Sequence, residues 1–259
     1  MRDMPGRLEG RFALVTGAGR GLGSAIALGL AREGAHVAVH YRRSVEGAEA
    51  VARSIRELGR ESFTVQGNIA SWDDVRRMVD EVFRRFGRLD ILANNAGDMA
   101  ADQMSWRDLR EEVLDRVLLV DVKGTQLMIH EVGVRMLEQG GGAIVNIGSR
   151  VVVTGSPRAP QYAAAKYAIL GLTKSYARAL APTVRVNAVG PGFVETEATL
   201  GREDWRSGRR EEILSQTPLR RIAKPEDVVP AVVFLASEDA RHITGVFLLC
   251  DGGMSMVGA

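Results

Sequence analysis

The chain has 259 residues, 46% of them apolar, and sets 34 basic against 32 acidic side chains for a formal net charge of +2. This length suits one large α/β domain or two small ones, and the balanced charge excludes a polybasic nucleic-acid surface. The single cysteine, Cys250, excludes an intrachain disulfide and a cysteine metal cluster.

No run reaches about 18 consecutive apolar residues, so no membrane-spanning helix is expected. Residues 1–8 contain no apolar signal core. A cytoplasmic protein of a reducing compartment follows as the expectation. Cys250 sits in the apolar run Val246-Phe247-Leu248-Leu249-Cys250 and reads as a buried apolar side chain.

Strand-like apolar runs alternate with helical patterns along the chain. Strands are predicted at residues 12–16, 37–41, 62–66, 89–93, 143–147, 184–189 and 245–250. Helices are predicted at 21–33, 44–58, 71–86, 111–138, 161–180 and 225–237. The helix at 71–86 opens with Asp73 and Asp74 and closes with Arg84 and Arg85, as the macrodipole favours. The pattern at 111–138 stops at Gly140-Gly141-Gly142, Pro182 ends the one at 161–180, and Pro225 starts the last. This β-α-β-α order predicts one α/β domain over residues 1–259, a doubly wound parallel sheet with helices on both faces. Runs such as Ile144-Val145-Asn146-Ile147 fit strands buried on both faces. Residues 195–219 are the least regular and read as an insertion, a lid over a substrate.

The first predicted strand runs into Thr16-Gly17-Ala18-Gly19-Arg20-Gly21-Leu22-Gly23, which opens the first helix. Glycines there permit a tight turn and close approach of a pyrophosphate, whose charge the helix N-terminus meets. The second strand ends in Tyr41-Arg42-Arg43, with no acid before Glu46 to accept hydrogen bonds from an adenosine ribose. A planar guanidinium pairs with phosphate oxygens, so the expected cofactor is NADP(H), with Arg42 and Arg20 as its 2′-phosphate contacts.

Tyr162 and Lys166 stand four apart in a predicted helix and share a face. An ammonium beside a phenol favours the phenolate, which makes tyrosine a proton donor and acceptor near neutral pH. The spacing alone is weak. Ser149, thirteen residues before Tyr162, and the glycine turn strengthen it.

With these residues in place, the chain resembles the short-chain dehydrogenase/reductases from about residue 8 to residue 253. The matching motifs are Thr16 to Gly23, Asn94-Asn95-Ala96-Gly97, Ser149, Tyr162-x-x-x-Lys166 and Pro191-Gly192. Pro191-Gly192-Phe193-Val194-Glu195-Thr196, Ile243-Thr244-Gly245 and Asp251-Gly252-Gly253 are similar to segments of bacterial 3-oxoacyl-acyl carrier protein reductases. The resemblance implies a Rossmann-like sheet of about seven strands and hydride transfer between a nicotinamide and a small-molecule carbonyl or alcohol. It makes Tyr162 the general acid in reduction, Lys166 the holder of the nicotinamide ribose, and Ser149 the donor to the carbonyl oxygen.

By the same resemblance Asn95, Ala96 and Gly97 lie along the cofactor, and Asn68 and Ile69 take the place of an acidic-plus-aliphatic pair at the adenine. Pro191, Gly192, Val194 and Thr196 lie near the nicotinamide carboxamide. Homo-oligomers, dimers or tetramers, are implied through the helices at 111–138 and 161–180 and the last strand. One position departs from the family: Asp121 stands where an asparagine commonly helps hold a water linking the lysine to solvent. An aspartate can still hold water, and its charge favours protonated Lys166.

Other residues read more plainly. His36, His40, His130 and His242 lack ligand spacing and are assigned surface or packing roles, so no metal is expected. Trp72 reads as packing, while Trp106 and Trp205 lie in regions that border substrate in the family. From Phe193 to Arg221 six arginines face six acids, Glu203 and Asp204 among them, so the lid offers no steering charge for an acidic carrier protein. The expected enzyme is an NADPH-dependent carbonyl reductase, with a 3-oxoacyl thioester among the candidate substrates. The alternatives are an alcohol or sugar dehydrogenase working oxidatively and a cofactor-binding scaffold without turnover.

Overall fold

A computed structural model describes residues 6–98, 105–202 and 205–256. Residues 1–5, Glu203, Asp204 and the side chain of Arg206 lie outside the described residues. Seven strands form one parallel sheet: β1 Phe12–Val15, β2 His36–Tyr41, β3 Ser62–Gln66, β4 Ile91–Asn94, β5 Gly142–Ile147, β6 Val184–Pro191 and β7 Phe247–Cys250. Their order is β3-β2-β1-β4-β5-β6-β7, with every neighbouring pair parallel. This is the Rossmann-like sheet expected from the alternation of strand and helix patterns. The order reverses between β1 and β4, which opens a crevice at the carboxyl ends of those strands.

Period-two alternation assigns each strand residue to one of two cores. Ala13, Val15, Val37, Val39, Ile91, Ala93, Val145 and Ile147 face helices α1 Gly21–Arg32, α2 Val45–Glu57 and the late helix Pro225–Ala236. Leu14, Ala38, Leu92 and Ile144 face the opposite side, against α3 Trp72–Phe86 and residues of the helices that precede and follow β5. Ser71 caps α3 by accepting from the Asp74 N–H at 3.4 Å, and Gly87 closes it at φ 76°.

The predicted helix at 111–138 is three segments in the structure. α4 Glu111–Val117 leads into a π-helical turn, Leu118–Gly124, and α5 Thr125–Glu138 completes it. π turns insert a residue and concentrate at functional sites; this one contains Asp121. The described residues of 195–219 contain more regular structure than their sequence suggests, with α8 Glu197–Leu200, a π turn Trp205–Arg209 and α9 Arg210–Gln216. Between β5 and β6 stand a short helix absent from the sequence prediction, α6 Val151–Thr154, and the long α7 Pro160–Ala179; α10 is the late helix Pro225–Ala236. Among the described residues no helix is long and apolar enough to cross a membrane. Cys250 is half-buried rather than buried.

Candidate active site

Tyr162 and Lys166 lie in the first two turns of α7, which starts with Pro160 at its first position. The helix is docked by a buried polar chain. Asn94 Nδ2 donates to Asn146 Oδ1 at 2.9 Å, Asn146 Nδ2 donates to Thr173 Oγ1 at 3.0 Å, and Thr173 Oγ1 donates to the Ile169 carbonyl at 2.7 Å. Three elements, β4, β5 and α7, are thereby fixed to one another at the carboxyl end of the sheet.

Ser149 follows β5 directly and is buried. The β5–β6 ladder continues past it, with Gly148 N–H donating to the Val189 carbonyl at 2.8 Å and Arg150 N–H to the Pro191 carbonyl at 2.9 Å. Gly148 and Gly190 leave room for the Phe247 ring beneath this corner; a Cβ on either would lie 2.5 or 2.2 Å from ring carbons. The serine therefore stands on a tightly packed strand end.

Lys166 Nζ lies 2.8 Å from Asp121 Oδ1, with side-chain exposures of 7% and 0%. It also lies 3.4 Å from the Ile147 carbonyl and 5.5 Å from the centre of the Tyr162 ring. Burial opposes the lysine charge, but Asp121 and Tyr162 more than offset it and hold its pKa above the ordinary value. The other Asp121 oxygen, Oδ2, accepts the Asp98 N–H at 2.7 Å, and Asp98 in turn pairs with Arg116. Gly97 fits between these groups: a Cβ there would lie 2.8 Å from Asp121 Oδ1 and 3.4 Å from Lys166 Nζ. The carboxylate of Asp121, carried by the π turn, pairs directly with the lysine, in line with the expectation that its charge favours protonated Lys166.

The glycine turn faces this cluster across the β1–β4 crevice. Gly17 and Gly21 adopt φ 64° and 57°, conformations that favour glycine. A Cβ at Gly23 would lie 2.3 Å from the Gly17 carbonyl oxygen and 2.4 Å from Asn95 Nδ2, and one at Gly19 would lie 3.0 Å from the Ser44 carbonyl oxygen. Asn95 Nδ2 donates to the carbonyls of Thr16 at 3.0 Å and Gly17 at 3.2 Å, while Thr16 Oγ1 accepts the N–H groups of Asn95 and Ala96, each at 3.0 Å. Thr196, the residue before α8, comes within 3.7 Å of where a Gly21 Cβ would be. Val194 bridges to Ala223, and Gly192 N–H donates to the Cys250 carbonyl at 3.0 Å. Arg20 and Arg42 are exposed at the mouth, beside half-buried Tyr41.

The other residues that the sequence singles out stand in varied surroundings. Ile69 is 4% exposed and belongs to the core; it packs so closely that a Cβ on Gly124 would meet its Cγ1 at 2.7 Å. Asn68 Oδ1 accepts the Ala70 N–H at 3.2 Å, and the acid beside it is Asp74, whose Oδ2 accepts the Asn68 N–H at 2.8 Å. Trp72 is exposed across α3 and α5, edge-on to His130 and beneath the Arg76 guanidinium, rather than packed inside. Trp205 is buried with Phe193, Ile213 and Ile222, whereas Trp106 is exposed beneath Arg107. His40, to which the sequence lent only packing, is a buried hydrogen-bonding group behind the glycine turn.

The family model described as enoyl-(acyl carrier protein) reductase matches residues 17–255. The chain belongs to the short-chain dehydrogenase/reductase family. It is 44% identical over 247 residues to the 3-oxoacyl-acyl-carrier-protein reductase FabG of Staphylococcus aureus, covering 95% of this chain and 98% of that protein. A short chain dehydrogenase from Burkholderia cenocepacia in complex with NADP superposes with TM-score 0.88 at 37% identity, over 96% of this chain and all of that one. A 7α-hydroxysteroid dehydrogenase, complexed with NADH and 7-oxo glycochenodeoxycholic acid, gives TM-score 0.88 at 30% identity, over 95% of each chain. Both cofactor types therefore occur on this fold.

Proposed function

We propose that the protein is an NADPH-dependent reductase that converts a ketone to a secondary alcohol. The observation that carries this reading is the buried Lys166, paired with Asp121 and 5.5 Å from the centre of the Tyr162 ring, in a fold whose glycine turn opens onto the same end of the sheet; the buried Ser149 at the end of β5 supports it. A dinucleotide fits the crevice: Gly17, Gly19 and Gly23 of the turn approach neighbouring atoms to within 2.3–3.0 Å of where a Cβ would stand, and the N-terminus of α1 opens onto it. Arg20, Arg42 and Arg43 are exposed, and among the described residues none of the three forms an ion pair. Such cations favour a 2′-phosphate over a bare ribose, and the NADP complex of the Burkholderia relative supports that choice.

NADPH, when bound, supplies the hydride. Lys166 is the ribose-holding cation, with its charge secured by Asp121. The Ser149 hydroxyl donates to the carbonyl oxygen and stabilises the negative charge that develops there. The Tyr162 phenol donates a second hydrogen bond to that oxygen and gives it the proton that completes the alcohol. Asn95, Ala96 and Gly97 would lie along the cofactor, and Pro191, Gly192, Val194 and Thr196 would hold it near the nicotinamide carboxamide. Asn68 serves the adenine end through its amide nitrogen.

A 3-oxoacyl thioester is the favoured substrate class, supported by the identity to the staphylococcal reductase. Residues 195–219 are the lid of a single domain. Inside the lid Arg210 pairs with Glu195 and Arg209 with Glu212, and the six arginines from Phe193 to Arg221 are balanced by six acids, so thioester recognition rests on shape rather than on steering. Exposed Leu118, Leu119 and Tyr167 on the π turn and α7 favour a homo-oligomer, a dimer or tetramer, through these helices. A cytoplasmic location agrees with the lone cysteine and with the absence of a membrane-crossing helix among the described residues. The deciding experiment is spectrophotometric NADPH oxidation over β-ketoacyl thioesters, cyclic ketones and quinones. Turnover that vanishes in Tyr162→Phe supports the reading; dinucleotide binding without turnover on any of them refutes it.

A further inference from the structure

His40 is the penultimate residue of β2 and is 2% exposed. Its Nδ1 accepts the Gly17 N–H at 3.0 Å, and its Nε2 lies 3.1 Å from the Gly67 carbonyl oxygen. The partners decide the tautomer. A backbone N–H can only donate, so Nδ1 is bare; a carbonyl can only accept, so the proton is on Nε2. One neutral form satisfies both bonds, and an imidazolium would set an N–H against an N–H.

The two partners belong to different parts of the crevice. Gly17 heads the turn that wraps a pyrophosphate, and Gly67 immediately precedes Asn68 and Ile69 at the adenine end. Both peptide groups that flank the Gly17 Cα are held, with its N–H on His40 and its carbonyl on Asn95 Nδ2 at 3.2 Å. Asn68 is anchored in turn by Asp74. The backbone repeats the same connection: Ala18 N–H donates to the His40 carbonyl at 2.8 Å, and Gly67 N–H to the Tyr41 carbonyl at 3.1 Å.

We infer that His40 is a positioning residue for the dinucleotide, a buried strut that fixes the separation of the pyrophosphate turn and the adenine loop. The inference rests on the reading of this crevice as the NADPH site. Removing the imidazole leaves a buried N–H and a buried carbonyl without partners, on the two loops that one ligand must touch together. The effect is therefore expected in cofactor binding, not in the chemical step.

Two variants separate the bonds. His40→Leu removes both, whereas His40→Asn keeps an acceptor near the Nδ1 position and is too short to reach Gly67. Dissociation constants for NADPH, measured by protein fluorescence, are expected to rise about tenfold in the leucine variant and about threefold in the asparagine variant. KM for NADPH should follow, with kcat at saturating cofactor within about twofold of the parent. Amide exchange of the peptide containing Gly17, in cofactor-free protein, should quicken most in His40→Leu. A folded leucine variant that binds NADPH like the parent overturns the inference, as does an asparagine variant no better than leucine, or a kcat loss at unchanged affinity. If the leucine variant does not fold, the asparagine variant decides: parental affinity overturns the strut and a threefold loss supports it. A parent that binds no dinucleotide defeats the functional reading instead, and the exchange contrast at Gly17 then decides the strut alone.

Discussion

Asp121 and Lys166 form an ion pair of 2.8 Å with both side chains buried, in the place where the family pattern leads one to expect an uncharged amide. The lysine is thereby charged by a protein group before any cofactor arrives. Burial alone would push its pKa down, and the carboxylate reverses that direction.

Asp121→Asn removes the reversing charge and leaves the burial. The pKa of Lys166 then falls, so the ammonium is lost at a lower pH than in the parent. The alkaline limb of the reduction rate, read as kcat/KM for NADPH against pH, is expected to move down by about one unit or more. Superimposable profiles refute this account of the pair.

Tyr162→Phe keeps the ring and removes the proton. Reduction is expected to drop by about 10²- to 10⁴-fold in kcat while the dissociation constant for NADPH changes little. Ser149→Ala, which loses one donor to the developing oxyanion, is expected to cost about 10²-fold. Stopped-flow single turnovers check both, since they read the hydride step apart from product release.

Arg42→Ala is expected to raise KM for NADPH about tenfold and to leave KM for NADH near its parental value, because the guanidinium meets a phosphate that NADH lacks. Steady-state kinetics with both cofactors test it. Equal losses with both would assign Arg42 to the fold rather than to the phosphate.

His40 gives folding stability a defined pH dependence. Burial holds its pKa at about 4 in the folded protein, against 6.5 for a free histidine. Between these values the unfolded chain binds more protons than the folded one. Stability is therefore full above about pH 6.5 and declines as pH falls toward 4, by at most about 3 kcal/mol. Urea unfolding at a series of pH values from about 7 to 5 isolates this slope from carboxylate protonation. His40→Asn is expected to flatten it; a slope unchanged by the substitution would contradict the assignment.

Much of the architecture is legible in the sequence because its determinants are local. Apolar runs, the glycine turn and the punctuation by Pro182, Pro225 and the glycines at 140–142 specify strand and helix order without tertiary information. What escapes is set by contacts between distant segments. The π turn at Leu118–Gly124 inserts one residue in a pattern that still looks helical, and that residue decides whether Asp121 faces Lys166. The partners of His40 are backbone atoms of Gly17 and Gly67, which no side-chain pattern announces. Ile69 matches its motif position, and its close packing against Gly124 is a contact that the motif does not announce.

The placement of charge around the crevice separates capture from chemistry. Asp121 and Lys166 cancel at the bottom, so the reacting centre presents no net charge to an incoming dinucleotide. Exposed Arg20, Arg42 and Arg43 stand at the entrance, where screening by ions is strong. Ionic strength then acts on the encounter and leaves the buried transfer step untouched. An enzyme arranged in this way changes its hold on NADPH with the salt around it while its turnover, once loaded, stays constant.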